Sequence, residues 1–420
     1  MLVRLKGSAR RYLIIGRYTI DPVSFKQTMS KTYEGYLLIA DITGYTRYLS
    51  ESELEHAQDT LTALLELLVE HTRPPLVISR LAGDAVISYG LRESFFQGQT
   101  LIEKIEDTYV AFRKTIERLV LNNTCRCNAC ANISNLDLKF FIHYGSFGIQ
   151  RISDHDELVG SDINLLHRLL KNSVTEKTGV RAYALFTEAA IQQLGVEDLV
   201  DGMTSHTEIY EYLGEVEVWV QDMQPVWEKK RSAATVTFPS NHIWRRNEVE
   251  ISMPREQAWD YLIQPEFRNT LIGTDRMEIA NRENGRIAPG SIFQCYHGDK
   301  PVPQIILEWQ TFESMIVKEL FPMSLAVSWL AEYRLDSTEG GTRLTRTISK
   351  PAGPIVGRTL LRLLSPVFMR ISKHLFTAFA QRIEDDFRAR SGALKSEVEV
   401  TGEQIREAAR LGLQASSGDQ

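Results

Sequence analysis

The order of apolar and polar positions divides the chain into two differently patterned halves. Leu37-Leu38-Ile39-Ala40 is an unbroken apolar run, which predicts a strand buried on both faces and ending at Asp41. Gly44 then permits a tight turn, with Thr43 and Thr46 leading toward a helix. Leu54, Leu61, Leu64, Leu65, Leu67 and Leu68 recur at helical spacing until Pro74-Pro75 stops them. Across 76–90 two apolar runs flank Gly83-Asp84, a pattern for a hairpin with Asp84 at its tip. A second helix is read over 94–122, with Ile102, Ile105, Tyr109, Phe112, Ile116 and Leu119 on one face. A strand at 136–148, a helix at 162–172, a short helix at 188–194 capped by Thr187, and a closing hairpin at 207–213 and 216–222 complete this half. Strand, helix, hairpin, helix, strand is the order of a ferredoxin-like α+β sheet with helices on one side.

The pattern restarts at Ile243. An alternating strand leads into a helix opened by Pro254, and apolar runs at 292–297, 304–311, 314–321, 326–335 and 342–348 follow. A long helix is read from Ser365-Pro366, with Phe368, Ile371, Leu375, Phe379, Ile383 and Phe387 in a stripe that most simply faces a core. Between the halves, Pro225, Lys229-Lys230-Arg231 and Pro239 mark a linker. The expected organisation is an N-terminal extension at 1–32, a first domain at 33–222, a linker at 223–240, a second domain at 241–392 and a polar tail at 393–420.

Composition narrows the function classes. At 420 residues the chain exceeds one ordinary core, and its 43% hydrophobic and 24% charged residues are those of a globular protein. A net charge of −6 gives no sign of a nucleic-acid surface. No apolar run approaches the roughly 18 residues that span a bilayer, so the chain is expected to be cytoplasmic, without a transmembrane segment.

Candidate chemistry lies mostly in the first half. Aspartates at the ends of adjacent strands, Asp41 and Asp84, suit Mg²⁺ or Mn²⁺, hard cations that take carboxylate oxygens and leave room for phosphate. Asn164 and Arg168, spaced i, i+4, share a helix face and could reach one ligand. Three of the four cysteines fall within Cys125-Arg-Cys127-Asn-Ala-Cys130, which speaks against a disulfide framework. Their thiolates could hold a structural zinc, for which a fourth ligand would come from Cys295, His143 or a second subunit. Three reduced thiols in a turn is the alternative of equal weight.

Four segments together resemble the catalytic domain of class III nucleotidyl cyclases, the adenylate and guanylate cyclase family. They are GYLLIADITGYTRY at 35–48, LVISRLAGDAVISYG at 76–90, LDLKFFIHYGSFG at 136–148 with His143 and Gly145, and LVGSDINLLHRL at 158–169. The resemblance implies two metal ions at Asp41, Ile42 and Asp84, ribose orientation by Asn164, and stabilisation of charge on the α-phosphate by Arg168. It also implies a homodimer, with the metals in one subunit and Asn164 and Arg168 in the other. The base-reading positions hold Arg80 and Glu157, matching neither the family's adenine pair nor its guanine pair, so a base presenting acceptors, a pyrimidine among them, is conceivable. Where the family carries a phosphate-binding Lys, this chain has Leu213 and Glu215, and Arg73, Lys171 or another basic group would have to substitute.

The second half, over 243–390, resembles the START-like or SRPBCC superfamily, a helix-grip fold that implies an apolar cavity for a hydrophobic small molecule or lipid. The combined expectation is an enzyme converting a nucleoside triphosphate to a 3′,5′-cyclic nucleotide and pyrophosphate, joined to a hydrophobic-ligand domain. The alternative is a degenerate cyclase domain serving as a nucleotide or lipid sensor or a dimerisation module. A weaker third reading makes the second domain an aromatase or cyclase of a hydrophobic substrate.

Overall fold

A computed structural model describes residues 32–415, apart from 93–97, 122–124, 126, 153–154, 196–197, 233–237, 240–242, 299 and 321–326, and near the N-terminus residues 2–3, 12–15 and 18–20. The chain forms two compact units, Tyr33–Ser391 and a smaller one made of Met1–Thr32 with Gly392–Gln420. In the smaller unit β1 (Leu2–Val3), β2 (Tyr12–Ile15) and β3 (Tyr18–Ile20) pair antiparallel. No helix among the described residues is long and apolar enough to cross a membrane.

The larger unit opens with β4 (Thr32–Thr43), α1 (Tyr45–Ser50), α2 (Leu54–Thr72), β5 (Val77–Ala82), β6 (Ala85–Leu91) and α3 (Gly98–Leu121). Then come α4 (Asn128–Asn132), β7 (Asp137–Ile152), β8 (His155–Val159), α5 (Ser161–Leu169), α6 (Val174–Thr178), β9 (Tyr183–Thr187) and α7 (Glu188–Leu194). The hairpin β10 (Thr204–Tyr210) and β11 (Gly214–Asp222) closes an eight-stranded sheet of order β10-β11-β9-β7-β4-β6-β5, with β8 on β7.

This mixed α+β sheet is covered on both faces, which is why the centre of β4, Leu37 to Ala40, is an unbroken buried apolar run. Leu38, Ala40 and Ile42 join a core with α2 and α3, while Leu37 and Ile39 join another with Ile163, Leu166 and Leu169 of α5. Helices on one side only were expected; the apolar stripe of α5 needs its own partner and finds it on the opposite face.

The segment expected as a linker is partly helical. Residues Gln224–Ser232 form α8, whose Trp227 is buried in the first core with Met223. Burying an indole outweighs the polar composition around it. The rest of that segment lies largely outside the described residues.

The second sheet comprises β12 (Ile243–Ile251), β13 (Arg276–Ala280), β14 (Ile292–His297), β15 (Lys300–Gln310), β16 (Ser314–Leu320), β17 (Ser328–Thr338) and β18 (Gly341–Ser349). All pair antiparallel in the order β12-β18-β17-β16-β15-β14-β13, and α9 (Arg255–Ile263) and α10 (Pro265–Ile272) fill the β12–β13 connection. β13 escaped the sequence reading because RMEIA is short and only weakly alternating. α11 (Ile355–Ala415) starts ten residues before the expected boundary and runs through Pro366 into the segment expected as a tail. A proline inside a helix costs about 3 kcal/mol. Here full burial of Leu361 upstream and Phe379 and Ile383 downstream offsets it. Ile371, expected in the buried stripe, is exposed.

The two sheets are joined by a polar interface inside the larger unit. Glu103 of α3 is almost wholly buried and accepts hydrogen bonds from the Trp309 indole at 2.9 Å and the Trp259 indole at 3.3 Å. Thr100 donates to Asp260 at 2.7 Å, Lys104 to Glu256 at 3.2 Å, and Gln99 exchanges two 2.9 Å bonds with the Ile287 backbone. Arg286 clamps Glu106 with bonds of 2.7 and 2.8 Å. Burial alone would raise the Glu106 carboxyl, but Arg286 overcomes it and holds it below the usual range. Burial lowers Lys104 and raises Glu103.

Removing one partner of a buried pair is costly because the other charge is left in the interior. Arg286→Ala should therefore destabilise the chain by about 3–5 kcal/mol in urea unfolding. A change within about 0.5 kcal/mol would show that this clamp does not hold the halves together. For the same reason a fragment ending at Ser232 should aggregate or remain unfolded.

Candidate active site

The end of β4 and the β5–β6 hairpin bring two carboxylates together. Asp41 pairs in register with Ala85, and the Ile42 amide donates to the Asp84 carbonyl at 3.2 Å. β4 continues to Thr43 rather than ending at Asp41, so the acid is delivered from within a paired strand. Gly83, with φ of 66°, supplies the hairpin turn that projects Asp84.

Asp41 lies on the α5 side of the sheet by the alternation of β4. Burial, aided by the neighbouring Asp84 and opposed by Lys139, pushes its carboxyl up to about 6. Burial also raises Asp84. Both acids are half-buried and Asp84 further disfavours the charge of Asp41, and carboxylate oxygens are the donors that Mg²⁺ or Mn²⁺ prefers. The residues present fit such an ion.

Lys139 was missed by the sequence reading. Alternation along β7 puts it on the same face as Phe141, where its ammonium donates to Thr175 at 3.1 Å and lies 4.9 Å from the Tyr183 ring centre. Burial lowers its pKa, with Asp41 acting in the opposite direction. The only available signal was that period of two; Lys139 otherwise reads as an ordinary charged residue in a strand.

α5 is fixed to β7 by Asp162, also unnoticed in the sequence. Its carboxylate accepts from the Ser146 amide at 2.6 Å. A Cβ on Gly145 would lie 2.3 Å from that carboxylate, so a side chain there would push Asp162 off the Ser146 amide. Asn164 and Arg168 stand on the exposed side of the helix so anchored. His143, buried beneath it, contacts the Thr187 hydroxyl at 2.8 Å.

The expected base-reading residues meet each other. Arg80 donates to Glu157 at 2.7 Å, and another guanidinium nitrogen lies 3.3 Å from Nε2 of His167. Leu213 and Glu215 are exposed at the tip of the β10–β11 hairpin. Arg73 caps the C-terminus of α2 in a cleft with His71, Lys104 and Glu256, away from the acids.

The cysteine segment acquires a partner from another element. Nδ1 of His56, in the first turn of α2, lies 3.2 Å from Sγ of Cys127 and 3.7 Å from Sγ of both Cys125 and Cys130. The fourth positions considered from sequence are occupied otherwise. Cys295 is buried in the core of the second sheet, and His143 is engaged with Thr187.

Between α11 and the second sheet lies a cavity of about 250 Å³. Leu271, Val302, Trp329 and Phe368 give it an apolar wall, but Glu319 and Arg346 also line it. The expectation of a purely apolar cavity is corrected to that extent. Glu319 accepts from Trp329 at 2.7 Å, from Tyr333 at 2.6 Å and from Arg346, so its charge is fully compensated.

The Asp41 shift has a pH consequence. A carboxyl raised in the fold contributes stability below its ordinary value of 3.8, and that contribution is lost as the pH rises through about 6. In chelator near pH 8, Asp41→Asn should raise Tm by about 2–4 °C, with a smaller gain near pH 5. Mn²⁺ should raise Tm of the unaltered chain near pH 8 but not that of the variant. Equal melting of the two proteins at both pH values would rule out the strained acid pair.

Residues 61–178 match a family model described as a protein of unknown function (DUF2652). An uncharacterized protein of Mycobacterium tuberculosis is 32% identical over 119 residues, which are 27% of this chain and 54% of that protein, so the chain spans about half the length of this curated relative. Similar solved structures include adenylyl and guanylyl cyclases. A bacterial light-regulated adenylyl cyclase has 14% identity and a TM-score of 0.35, covering 50% of this chain and 59% of that one. The guanylyl cyclase Cya2 has 13% identity and a TM-score of 0.35, covering 46% of this chain and 92% of that one.

Proposed function

We propose that the first half of the larger unit is a nucleotidyl cyclase acting on a nucleoside triphosphate. The observation that carries this reading is the meeting of Asp41 of β4 with Asp84 at the β5–β6 turn, two carboxylates each raised by burial, with Asp84 raising Asp41 further and Lys139 opposing it from the same face.

Asp41 and Asp84, with the Ile42 backbone beside them, would hold two Mg²⁺ or Mn²⁺ ions. Such ions supply Lewis acidity to the α-phosphate and lower the pKa of the attacking ribose 3′-hydroxyl. Asn164 orients the ribose, and the planar fork of Arg168 meets the α-phosphate oxygens as negative charge develops on them. Their i, i+4 spacing lets one ligand touch both. In a homodimer these two residues come from the subunit opposite the acids. Lys139, which acts on Asp41 from the same face, would substitute for the phosphate-binding lysine that the β10–β11 hairpin lacks.

Arg80 reads the base. Glu157 takes one of its five N–H groups and fixes the fork, leaving donors for a base that presents acceptors. The second half holds a small hydrophobic ligand in the cavity beneath α11, in a START-like domain. A second reading, a nucleotide sensor without turnover, is favoured by one feature: Glu215 stands where a cation would meet the triphosphate.

The purified 420-residue chain assayed with ATP, GTP, CTP and UTP in Mn²⁺ decides between the two. A cyclic product resolved by mass spectrometry, reduced about a hundredfold or more in both Asp41→Ala and Asp84→Ala, is the expected result. No product from any of the four, by a folded dimer, would reject the enzyme in favour of the sensor. Arg80→Ala should change the ranking of the four substrates more than the best rate. An unchanged ranking would remove Arg80 from base recognition.

A further inference from the structure

We propose that His56, Cys125, Cys127 and Cys130 form a structural zinc site that clamps the start of α2 to the segment preceding β7. The four ligand atoms all lie within 4.8 Å of one another, although the sequence separates His56 from the cysteines by about seventy positions. Zinc at about 2.3 Å from sulfur and 2.0–2.1 Å from nitrogen, with tetrahedral angles, separates nitrogen from sulfur by about 3.5 Å. The three distances from His56 Nδ1 are 3.2, 3.7 and 3.7 Å and straddle that value. A chance meeting of one imidazole with three thiols does not require the same ring nitrogen to be nearly equidistant from every sulfur.

The surroundings fit a metal knuckle. The Cys130 amide points at Sγ of Cys127 from 3.4 Å, an N–H···S contact that supports a thiolate. Glu53, the residue preceding α2, accepts from the Ala129 amide at 3.0 Å, so the same two segments are also joined beside the cluster. Four protein ligands complete a tetrahedron and leave no position for water or substrate, which makes the site structural rather than catalytic.

Its place in the fold gives the clamp a task. α4, which carries Cys130, packs against α1 and α2, and a Cβ on Gly44 would lie 3.2 Å from the carbonyl of Asn135 just beyond α4. α1 and Gly44 directly follow β4, the strand that delivers Asp41. Zinc thus braces the chain on the outgoing side of the acid pair.

Metal analysis of the 420-residue chain as purified tests the site without any activity measurement. About one zinc per chain is expected, retained by Cys295→Ser and by His56→Cys, which still offers four ligands, and lost by His56→Ala and Cys130→Ser. Co²⁺ added to the stripped protein should give the intense visible bands of a tetrahedral thiolate complex. In hydrogen exchange the stripped protein should lose protection in residues 44–56 and 127–136, with the second sheet unaffected. Stripped protein that gives only the weak spectrum of octahedral cobalt, or purified protein that holds no zinc and shows three free thiols or a disulfide, overturns the assignment.

Discussion

The larger unit depends on the burial of a polar helix face. α3 has an apolar side that enters the first core, but Gln99, Thr100, Glu103 and Lys104 on its remaining surface are equally buried, against α9, the β13–β14 connection and β15 of the second half. Each has a partner there, and this is the condition under which charged groups leave water without prohibitive cost. Glu103 is the most demanding of them, since both oxygens must be satisfied, and two indoles from separate elements converge on it. The geometry fixes the second sheet against α3 and makes Tyr33–Ser391 one unit.

That rigidity bears on the proposed chemistry. α3 packs beneath the strand that delivers Asp41, through Leu38, Ala40 and Ile42. The second sheet and α3 thus form the physical connection between the cavity under α11 and that strand. On the opposite face, α5 is held by Asp162 on the Ser146 amide, so Asn164 and Arg168 are presented by a helix with its own anchor. The acid pair and the helix that carries Asn164 and Arg168 therefore lie on the same face of the sheet, over one core, with α3 on the other face.

The acid pair is costly to the fold. Asp41 is kept half-buried with a second carboxylate beside it and one lysine in opposition, and its raised pKa measures the conflict. Strain of this kind tends to concentrate where a protein binds something of opposite charge. The Arg80–Glu157 pair is the reverse case, two charges already matched in the resting chain.

Much of this was legible along the chain. The apolar run at 37–40, the Gly83-Asp84 turn, the helices flanking them and the Thr187 cap, whose hydroxyl accepts from the Ala190 amide at 3.3 Å, are local events set by periodicity and turn chemistry. The candidates Asp41 and Asp84 were likewise proposed from residue type and spacing, whereas Asn164 and Arg168 were singled out through the resemblance to cyclase domains. Three things were not legible, because each depends on which surfaces meet. The polar side of α3 reads as solvent-facing until a second sheet covers it. Lys139 and Asp162 are ordinary charged residues until strand alternation and helix docking turn them toward Asp41 and Ser146. The cysteine cluster lacks its fourth partner in sequence because His56 belongs to a helix formed far upstream. Sequence by itself determined the elements and their local chemistry. Only the tertiary structure decided which charges are buried together, since burial is a property of contacts between distant segments.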